Sequence, residues 1–273
     1  MYGTDHQLAR QAAQSCWRKL DRLNMIFSDY DEHSEVSRLS ATSGKGTWVR
    51  ISSELWKVLR LAHQISSDSR GAFDVTIGPL SKLWRRAIRR QEYPEQKHID
   101  TAHAKIGYQY IRYDTSQRAV QLLLEGMHID LGGIAKGYAI DRLYKHLVEQ
   151  GFPMAVVNGG GDIYIGLENQ SDPWQIRIQG KTDEQSFERT AIACSGATYQ
   201  YLSHKNQSYS HIVHPDTGLG ITSDQEVCIG ASSVVVADAL ASACSVDKQL
   251  VTPLLGKYGA WLMTSDVTSI LED

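Results

Sequence analysis

Residues 127–141 constrain the fold more than any other stretch, because they predict an abrupt change of secondary structure. Apolar and polar residues alternate over 129–131, which is the period of a half-buried strand. Gly132 and Gly133 then remove Cβ atoms where the backbone must turn tightly or let another group approach. From residue 134 onward the apolar positions have helical spacing. The stretch therefore predicts a strand–turn–helix unit.

The start of this predicted helix is also a candidate anion site. A helix N-terminus presents free backbone N–H groups and the positive end of the helix dipole, and both favour a phosphate. Lys136, in the first turn, adds a mobile positive charge. A tight turn beside a surface lysine explains the same pattern equally well, so the local sequence leaves both interpretations open.

The size and charge of the chain exclude several classes of protein. Its 273 residues are enough for one large domain or two closely packed ones. The apolar fraction of 42% and the charged fraction of 22% are typical of a globular protein. A formal net charge of −3 argues against a surface that binds nucleic acid or anionic lipid. No apolar run approaches the roughly 20 residues that cross a bilayer.

The cysteines give no sign of a metal or redox motif. They form no CxxC pair, and all of them lie in apolar sequence, where a free buried thiol is the expected state. We therefore expect free thiols at each of these positions: Cys16, Cys194, Cys228 and Cys244.

The order of the predicted elements indicates an α+β fold. Helices and strands are mixed without a regular βαβ alternation, which favours a largely antiparallel sheet over a doubly wound one. Residues 90–104 are polar and predict an irregular excursion. Periodicity predicts helices over 7–27, 35–39, 53–69, 80–89, 134–147 and 234–246. Alternation predicts strands over 49–51, 111–114, 119–124, 155–158, 163–166, 174–179, 189–194, 208–214, 227–229 and 258–264.

Asp238 and Ser242 are the strongly polar side chains of an otherwise apolar predicted helix. They are four residues apart and therefore share one face. A carboxylate in such surroundings is costly unless it is paired or bound to a cation. A carboxylate with a hydroxyl suits Mg²⁺ better than Zn²⁺. An aspartate that accepts hydrogen bonds from a neighbouring loop is the alternative interpretation.

Three further side chains suit a functional site. His211 is predicted on a strand that leads into a turn, which is a rigid position for a general base, although a single strand histidine is more often structural. Asp74 and Tyr30 lie in predicted loops, and an exposed tyrosine can stack on a planar ring. We interpret the basic cluster of the helix over 80–89 as a solvated face: Arg85, Arg86, Arg89 and Arg90.

In this order, the motifs of the chain resemble the ApbE-type flavin transferases, or FAD:protein FMN transferases. Collinear matches over nearly the whole chain are far more specific than any one motif. The resemblance implies a single domain over residues 1–273, with the ApbE-like, T-fold-like α+β architecture. The matching segments are 27–30 with 34–39, 71–80 with 83–84, 130–141, 157–162, 195–196, 211–215 with 217–218, and 237–243.

The resemblance implies a Mg²⁺-dependent reaction with FAD as substrate. Members of the family cleave FAD, esterify its FMN half to a threonine or serine of a target protein, and release AMP. By similarity, the metal is held by Asp238, Ser242 and the main-chain carbonyl of Gly133. Mg²⁺ offsets the charge of the pyrophosphate that is attacked.

The resemblance also assigns roles around the nucleotide. Tyr30 meets the adenine end of FAD, Asp74 and Lys136 contact FAD, and His211 takes the proton of the acceptor hydroxyl, which is otherwise a poor nucleophile. The implied partner is a flavin-acceptor protein, such as a subunit of a redox-driven ion pump or another electron-transfer protein. Two alternatives stay open, namely an FAD pyrophosphatase that gives FMN and AMP, and a non-catalytic FAD-binding protein.

The chain departs from the family pattern at three places. Ser242 stands where the family usually has threonine, and Gly133 where it often has alanine. Residues 1–4 only imitate the Met-Gly-Thr of the family's first strand, so we expect that strand to be absent or upstream of residue 1. The resemblance implies a periplasmic or inner-membrane-attached protein, whereas a chain that starts at residue 1 is expected in the cytoplasm because it shows no signal peptide.

Overall fold

Helices dominate the first half of the chain. The computed structural model describes residues 6–166, 174–177, 184–187, 190–196, 200–222 and 226–263. Ser34 and Ser52 accept the backbone N–H groups of Ser37 and Leu55 and so cap the second and third helices. The helices up to residue 103 are α1 His6–Phe27, α2 Glu35–Ser40, α3 Ser53–Asp68, α4 Gly78–Arg90 and α5 Gln96–His103.

Short antiparallel strands form the sheets. The strands are β1 Val49–Arg50, β2 Ile111–Asp114, β3 Ala119–Leu122, β4 Val156–Asn158, β5 Ile163–Ile165, β6 Trp174–Arg177, β7 Glu184–Phe187, β8 Thr190–Ser195, β9 Tyr201–His204, β10 Gln207–Ser210, β11 Val227–Ala231 and β12 Trp261–Leu262. The central sheet has the order β12-β11-β8-β5-β4, and a smaller one has the order β1-β3-β2. β9 pairs with β10 and β6 with β7, so the predicted α+β class is confirmed.

Two further helices cover the central sheet. The helix α7 Val234–Val246 packs on β8 and β11, and α6 Ala135–Glu149 packs against α7 and α1. The largest apolar core lies between these layers and includes the buried face of α3. The short helix α8 Lys248–Val251 follows α7. Within the described ranges, no helix is long and apolar enough to cross a membrane.

The extended start of the strand–turn–helix stretch is not a strand. A single bridge joins His128 to Ile77, and the backbone N–H groups of Ile129 and Asp130 bond instead to the Ser40 hydroxyl and the Val75 carbonyl. The strand predicted from the alternation over 129–131 is therefore wrong, because a loop and a helix, rather than a second strand, supply its hydrogen-bond partners. The prediction of an irregular excursion over 90–104 is also wrong, because Ile99 and Ala102 of α5 are buried against α4.

Two of the cysteines are not free thiols. Cys194 of β8 and Cys228 of β11 face each other across the central sheet and form a disulfide. Cys16 and Cys244 are free, as expected. The expectation failed for the first pair because strands 34 residues apart bring the two side chains into register, which no local spacing reveals.

Replacing both Cys194 and Cys228 with alanine is expected to lower the free energy of unfolding by about 4 kcal/mol. Without the cross-link, the unfolded chain gains the closure entropy of a loop of this length. Urea denaturation measures the change, and Cys16→Ala, at a free thiol, is the matched control. Equal denaturation midpoints for the double variant and the wild type would show that the disulfide does not stabilise the fold.

Candidate active site

A cavity of about 410 Å³ brings together side chains from distant parts of the chain. A larger cavity of about 1040 Å³ shares Tyr30 with it and is lined by Asp29, but Asp74, Asp130 and Asp238 line only the smaller one. We therefore place the chemistry in the smaller cavity. Every site residue predicted from the sequence lines it: Tyr30, Asp74, Gly133, Lys136, His211, Asp238 and Ser242.

Reciprocal capping holds α6 and α7 together at the base of the cavity. The Asp238 carboxylate of α7 accepts the N–H of Gly137, in the first turn of α6, at 2.9 Å. The Asp141 carboxylate of α6 accepts the N–H groups of Val234 and Val235, at the start of α7, at 2.9 Å each. A Cβ atom on Gly137 would lie 2.4 Å from the Val234 carbonyl oxygen, so only glycine allows this approach. The packing of α6 against α7 thus fixes the position of Asp238.

The predicted metal ligands lie together in this region. Asp238 is buried, and burial together with the nearby Asp162 raises its pKa to about 7. Ser242 lies one turn farther along α7, and a Cβ atom on Gly133 would be 2.7 Å from its hydroxyl oxygen. A carboxylate, a hydroxyl and a main-chain carbonyl are hard oxygen donors, which fit Mg²⁺. A divalent cation here would also offset the cost of burying two carboxylates.

Lys136 is not the mobile charge that its sequence position suggests. Its ammonium nitrogen lies 2.5 Å from a carboxylate oxygen of Asp162, whose side chain is almost fully buried. The other Asp162 oxygen accepts the N–H of Cys194 at 3.4 Å. Burial raises the pKa of Asp162, while Lys136 opposes that change. Asp162 was missed as a site residue, although the three glycines before it, at 159–161, marked a turn that could present it.

His211 follows the end of β10 instead of lying within a strand, so its predicted strand position is wrong. The strand ends because the N–H groups of Ser210 and His211 bond to Ile221 and Gln200, outside the β9–β10 pair. The imidazole is half-buried, and its Nδ1 has no hydrogen-bond partner within the described ranges. Burial lowers the pKa of His211, and a hydrogen bond to the Gln200 backbone partly opposes that change. A neutral imidazole with an unpartnered nitrogen at a cavity wall can accept a proton.

Asp74 lies in the loop between α3 and α4, as predicted, and its carboxylate organises that loop. One oxygen accepts the N–H and the hydroxyl of Thr76, both at 2.7 Å, and the other accepts the N–H of Tyr108 at 2.9 Å. Burial raises its pKa, which these bonds oppose. Its contact with FAD stays a prediction. The bonds show that Asp74 also fixes the wall of the cavity.

Arg85 contradicts the interpretation of the basic cluster as a solvated face. Its guanidinium lies between the buried carboxylates of Asp29 and Asp130, whereas Arg86, Arg89 and Arg90 are exposed as expected. Sequence reasoning missed Arg85 because its partners are 56 and 45 residues away. Ser195, the last residue of β8, and Gly196 also line the cavity, while residues 197–199 lie outside the described residues.

The chain is similar to proteins of one family over most of its length. The sequence model of the ApbE family matches residues 2–252. An FAD:protein FMN transferase of Escherichia coli K12 is 26% identical over 250 residues, which cover 87% of this chain and 71% of that protein. A protein of the same name from Vibrio cholerae is 29% identical over 240 residues, covering 84% of this chain and 71% of that one.

Solved structures match the fold as well as the sequence. The ApbE protein of Thermotoga maritima has a TM-score of 0.82 at 29% identity, over 93% of this chain and 85% of that one. A variant of the flavin transferase ApbE from Vibrio cholerae has a TM-score of 0.81 at 25% identity, over 93% of this chain and 83% of that one. These matches confirm the predicted ApbE-like α+β architecture.

Proposed function

Because the chain belongs to the ApbE family, we propose that it transfers the FMN half of FAD to a threonine or serine hydroxyl of an acceptor protein and releases AMP. One observation carries the proposal. A single cavity collects a buried carboxylate with a hydroxyl, a lysine at a helix start and a histidine with an unpartnered ring nitrogen. Charge neutralisation, phosphate binding and proton removal are the three tasks that this transfer needs. The names of the relatives support flavin as the transferred group.

We further propose that the carboxylate of Asp238, the hydroxyl of Ser242 and the carbonyl of Gly133 hold Mg²⁺. The bound ion would supply Lewis-acid neutralisation of the pyrophosphate. Ser242 keeps the oxygen donor of the threonine that is usual at this position. The small residue at Gly133 leaves room for the Ser242 hydroxyl, which a Cβ atom there would contact at 2.7 Å.

Other residues of the cavity have separate roles in binding FAD and in the chemical step. Lys136, held by Asp162 at the start of α6, adds fixed positive potential for the phosphates. His211 accepts the proton of the acceptor hydroxyl as the oxygen attacks the phosphorus on the FMN side. A new O–P ester bond forms, the bond from that phosphorus to the bridging oxygen breaks, and AMP leaves with that oxygen. Tyr30 lines the cavity and is 80% exposed, so its ring can stack on the adenine.

The acceptor that we propose is a flavin-carrying electron-transfer protein, such as a subunit of a redox-driven ion pump. A net charge of −3 argues against a nucleic acid as the partner. We also propose that the protein is periplasmic. Disulfides persist in oxidising compartments, so the pairing of Cys194 with Cys228 favours the periplasmic placement that the family resemblance implies.

The function is tested by incubating the protein with FAD, Mg²⁺ and an acceptor that carries the family's threonine or serine motif. We expect AMP and covalently fluorescent acceptor in equal amounts, with no label on an acceptor whose hydroxyl residue is replaced by alanine. Chromatography measures AMP, and in-gel fluorescence measures the label. AMP without label would indicate the pyrophosphatase, and tight FAD binding with neither product would indicate a binding protein.

A further inference from the structure

Arg85 forms a clamp, here called the Arg85 clamp, with Asp29 and Asp130. One guanidinium nitrogen lies 2.6 Å from an Asp29 carboxylate oxygen, and another lies 2.5 Å from an Asp130 oxygen. The side chains of Asp29 and Asp130 are only 8% and 7% exposed, whereas that of Arg85 is 27% exposed. A charge-assisted contact between groups this buried is stronger than a surface ion pair. The clamp therefore fixes the position of the guanidinium.

The clamp joins three segments whose residues line the cavity. Arg85 belongs to α4, and Asp29 lies in the loop between α1 and α2, next to Tyr30. The second oxygen of Asp130 accepts the N–H of Gly132 at 2.8 Å, at the start of the glycine turn. The loop that carries Tyr30 is thus connected through Arg85 to the turn that leads into α6.

The same guanidinium also covers one face of Tyr30. Its central carbon lies over the phenol ring, 4.8 Å from the ring centroid. Tyr30 as a residue is 80% exposed, so few other neighbours restrict the side-chain rotamers of its ring. The planar, delocalised cation of arginine stacks on an aromatic face while its N–H fork binds carboxylates, which the single ammonium of lysine cannot do at once. Arg85 therefore holds Tyr30 at the wall of the cavity.

We propose that Arg85 is a positioning residue for FAD, because it fixes the ring of Tyr30 so that the uncovered face receives a planar ring of the dinucleotide. This inference rests on the proposed function, which makes FAD the substrate. A ring that is already fixed loses less conformational freedom when the ligand binds, so the affinity for FAD is higher. The partial burial of Arg85, which sets it apart from its exposed neighbours on α4, then has a functional reason.

The test measures the dissociation constant for FAD by calorimetry without Mg²⁺, so that no turnover occurs. We expect Arg85→Lys to weaken FAD binding about tenfold, because the variant keeps the charge but loses the fork and the planar stack. Arg89→Lys, on an exposed position of the same helix, is the matched control and should leave binding unchanged.

A double-mutant cycle separates positioning from general damage to the fold. If Arg85 acts through Tyr30, Arg85→Lys should change the affinity for FAD by less than about twofold in a Tyr30→Ala background. It should keep its tenfold effect in a Tyr30→Phe background, which retains the ring. A full tenfold effect in Tyr30→Ala would overturn the inference, because Arg85 would then act on FAD without Tyr30.

A second variant keeps the inference testable if Arg85→Lys does not fold. Asp29 lines the larger cavity and not the 410 Å³ one, so the dependence of Asp29→Asn on the Tyr30 ring decides whether it acts through the Arg85 clamp. We expect a weaker affinity that again depends on the Tyr30 ring. Unchanged affinity in the folded clamp variants, with tight wild-type binding, would overturn the positioning role alone. A wild-type protein that does not bind FAD would overturn the proposed function, and this inference with it.

Discussion

Replacing Asp238 with asparagine is expected to lower the rate of Mg²⁺-dependent FMN transfer by roughly a thousandfold or more, because losing a charged metal ligand removes several kcal/mol of transition-state stabilisation. Asparagine keeps an oxygen for the Gly137 N–H, which the carboxylate accepts at 2.9 Å. The helix cap should therefore survive. Release of AMP and labelling of the acceptor, measured side by side, should fall together.

The stability of the Asp238→Asn variant separates loss of the metal from loss of the fold. Burial raises the pKa of Asp238 to about 7, so the charged carboxylate is costly in the folded protein without a cation. We expect the thermal midpoint of the metal-free variant to equal or exceed that of the wild type. Added Mg²⁺ should raise the midpoint of the wild type and leave that of the variant unchanged.

Asp141→Asn is the matched control, because Asp141 is also a carboxylate that caps a helix. It accepts two N–H groups at the start of α7 but does not line the cavity. We expect this variant to lose some stability and to keep the Mg²⁺ dependence of the wild type. Wild-type transfer rates in Asp238→Asn at saturating Mg²⁺ would refute the metal assignment.

Replacing His211 with alanine is expected to slow labelling of the acceptor by a factor of about 10²–10⁴, which is the usual contribution of a general base. The affinity for FAD should change little, because the proposed partner of the imidazole is the acceptor hydroxyl. Single-turnover labelling with saturating FAD measures the chemical step. His214→Gln is the control, because His214 is three residues away and does not line the cavity.

The pH dependence of labelling gives a second test of His211. Burial lowers the pKa of the imidazole from its ordinary value of about 6.5. Only the neutral ring accepts a proton, so the rate should be at its maximum above this pKa and fall as the pH drops through it. The acidic limb of the wild-type profile should therefore have its midpoint below pH 6.5. The residual rate of His211→Ala should lack this limb, and a limb that persists unchanged would assign the titration to another group.

Much of the helical framework could be predicted from the sequence. The helix over 234–246 has the predicted bounds, and α1 differs by one residue, because the spacing of apolar positions is a local property that tertiary contacts reinforce. The prediction failed over 129–131, where all three residues are buried and the described part of the chain supplies a loop and a helix as partners instead of a strand. The opposite error occurred at α5, a helix that was not predicted. Its two buried residues are too few to give a clear periodic signal.

The features of the site also divide into those that the sequence predicts and those that only the tertiary structure shows. Sequence alone determined the chemical types of the side chains, the shared face of Asp238 and Ser242, and the glycine turn before α6, because each depends on residues a few positions apart. Only the tertiary structure decided that the Cys194–Cys228 disulfide forms, that Lys136 pairs with Asp162, and that Arg85 lies between Asp29 and Asp130. These contacts join residues 26 or more positions apart in the printed sequence. The physical reason is that buried charges and thiols take the partners that the packed sheet and helices place beside them, and no periodicity along the chain encodes that choice.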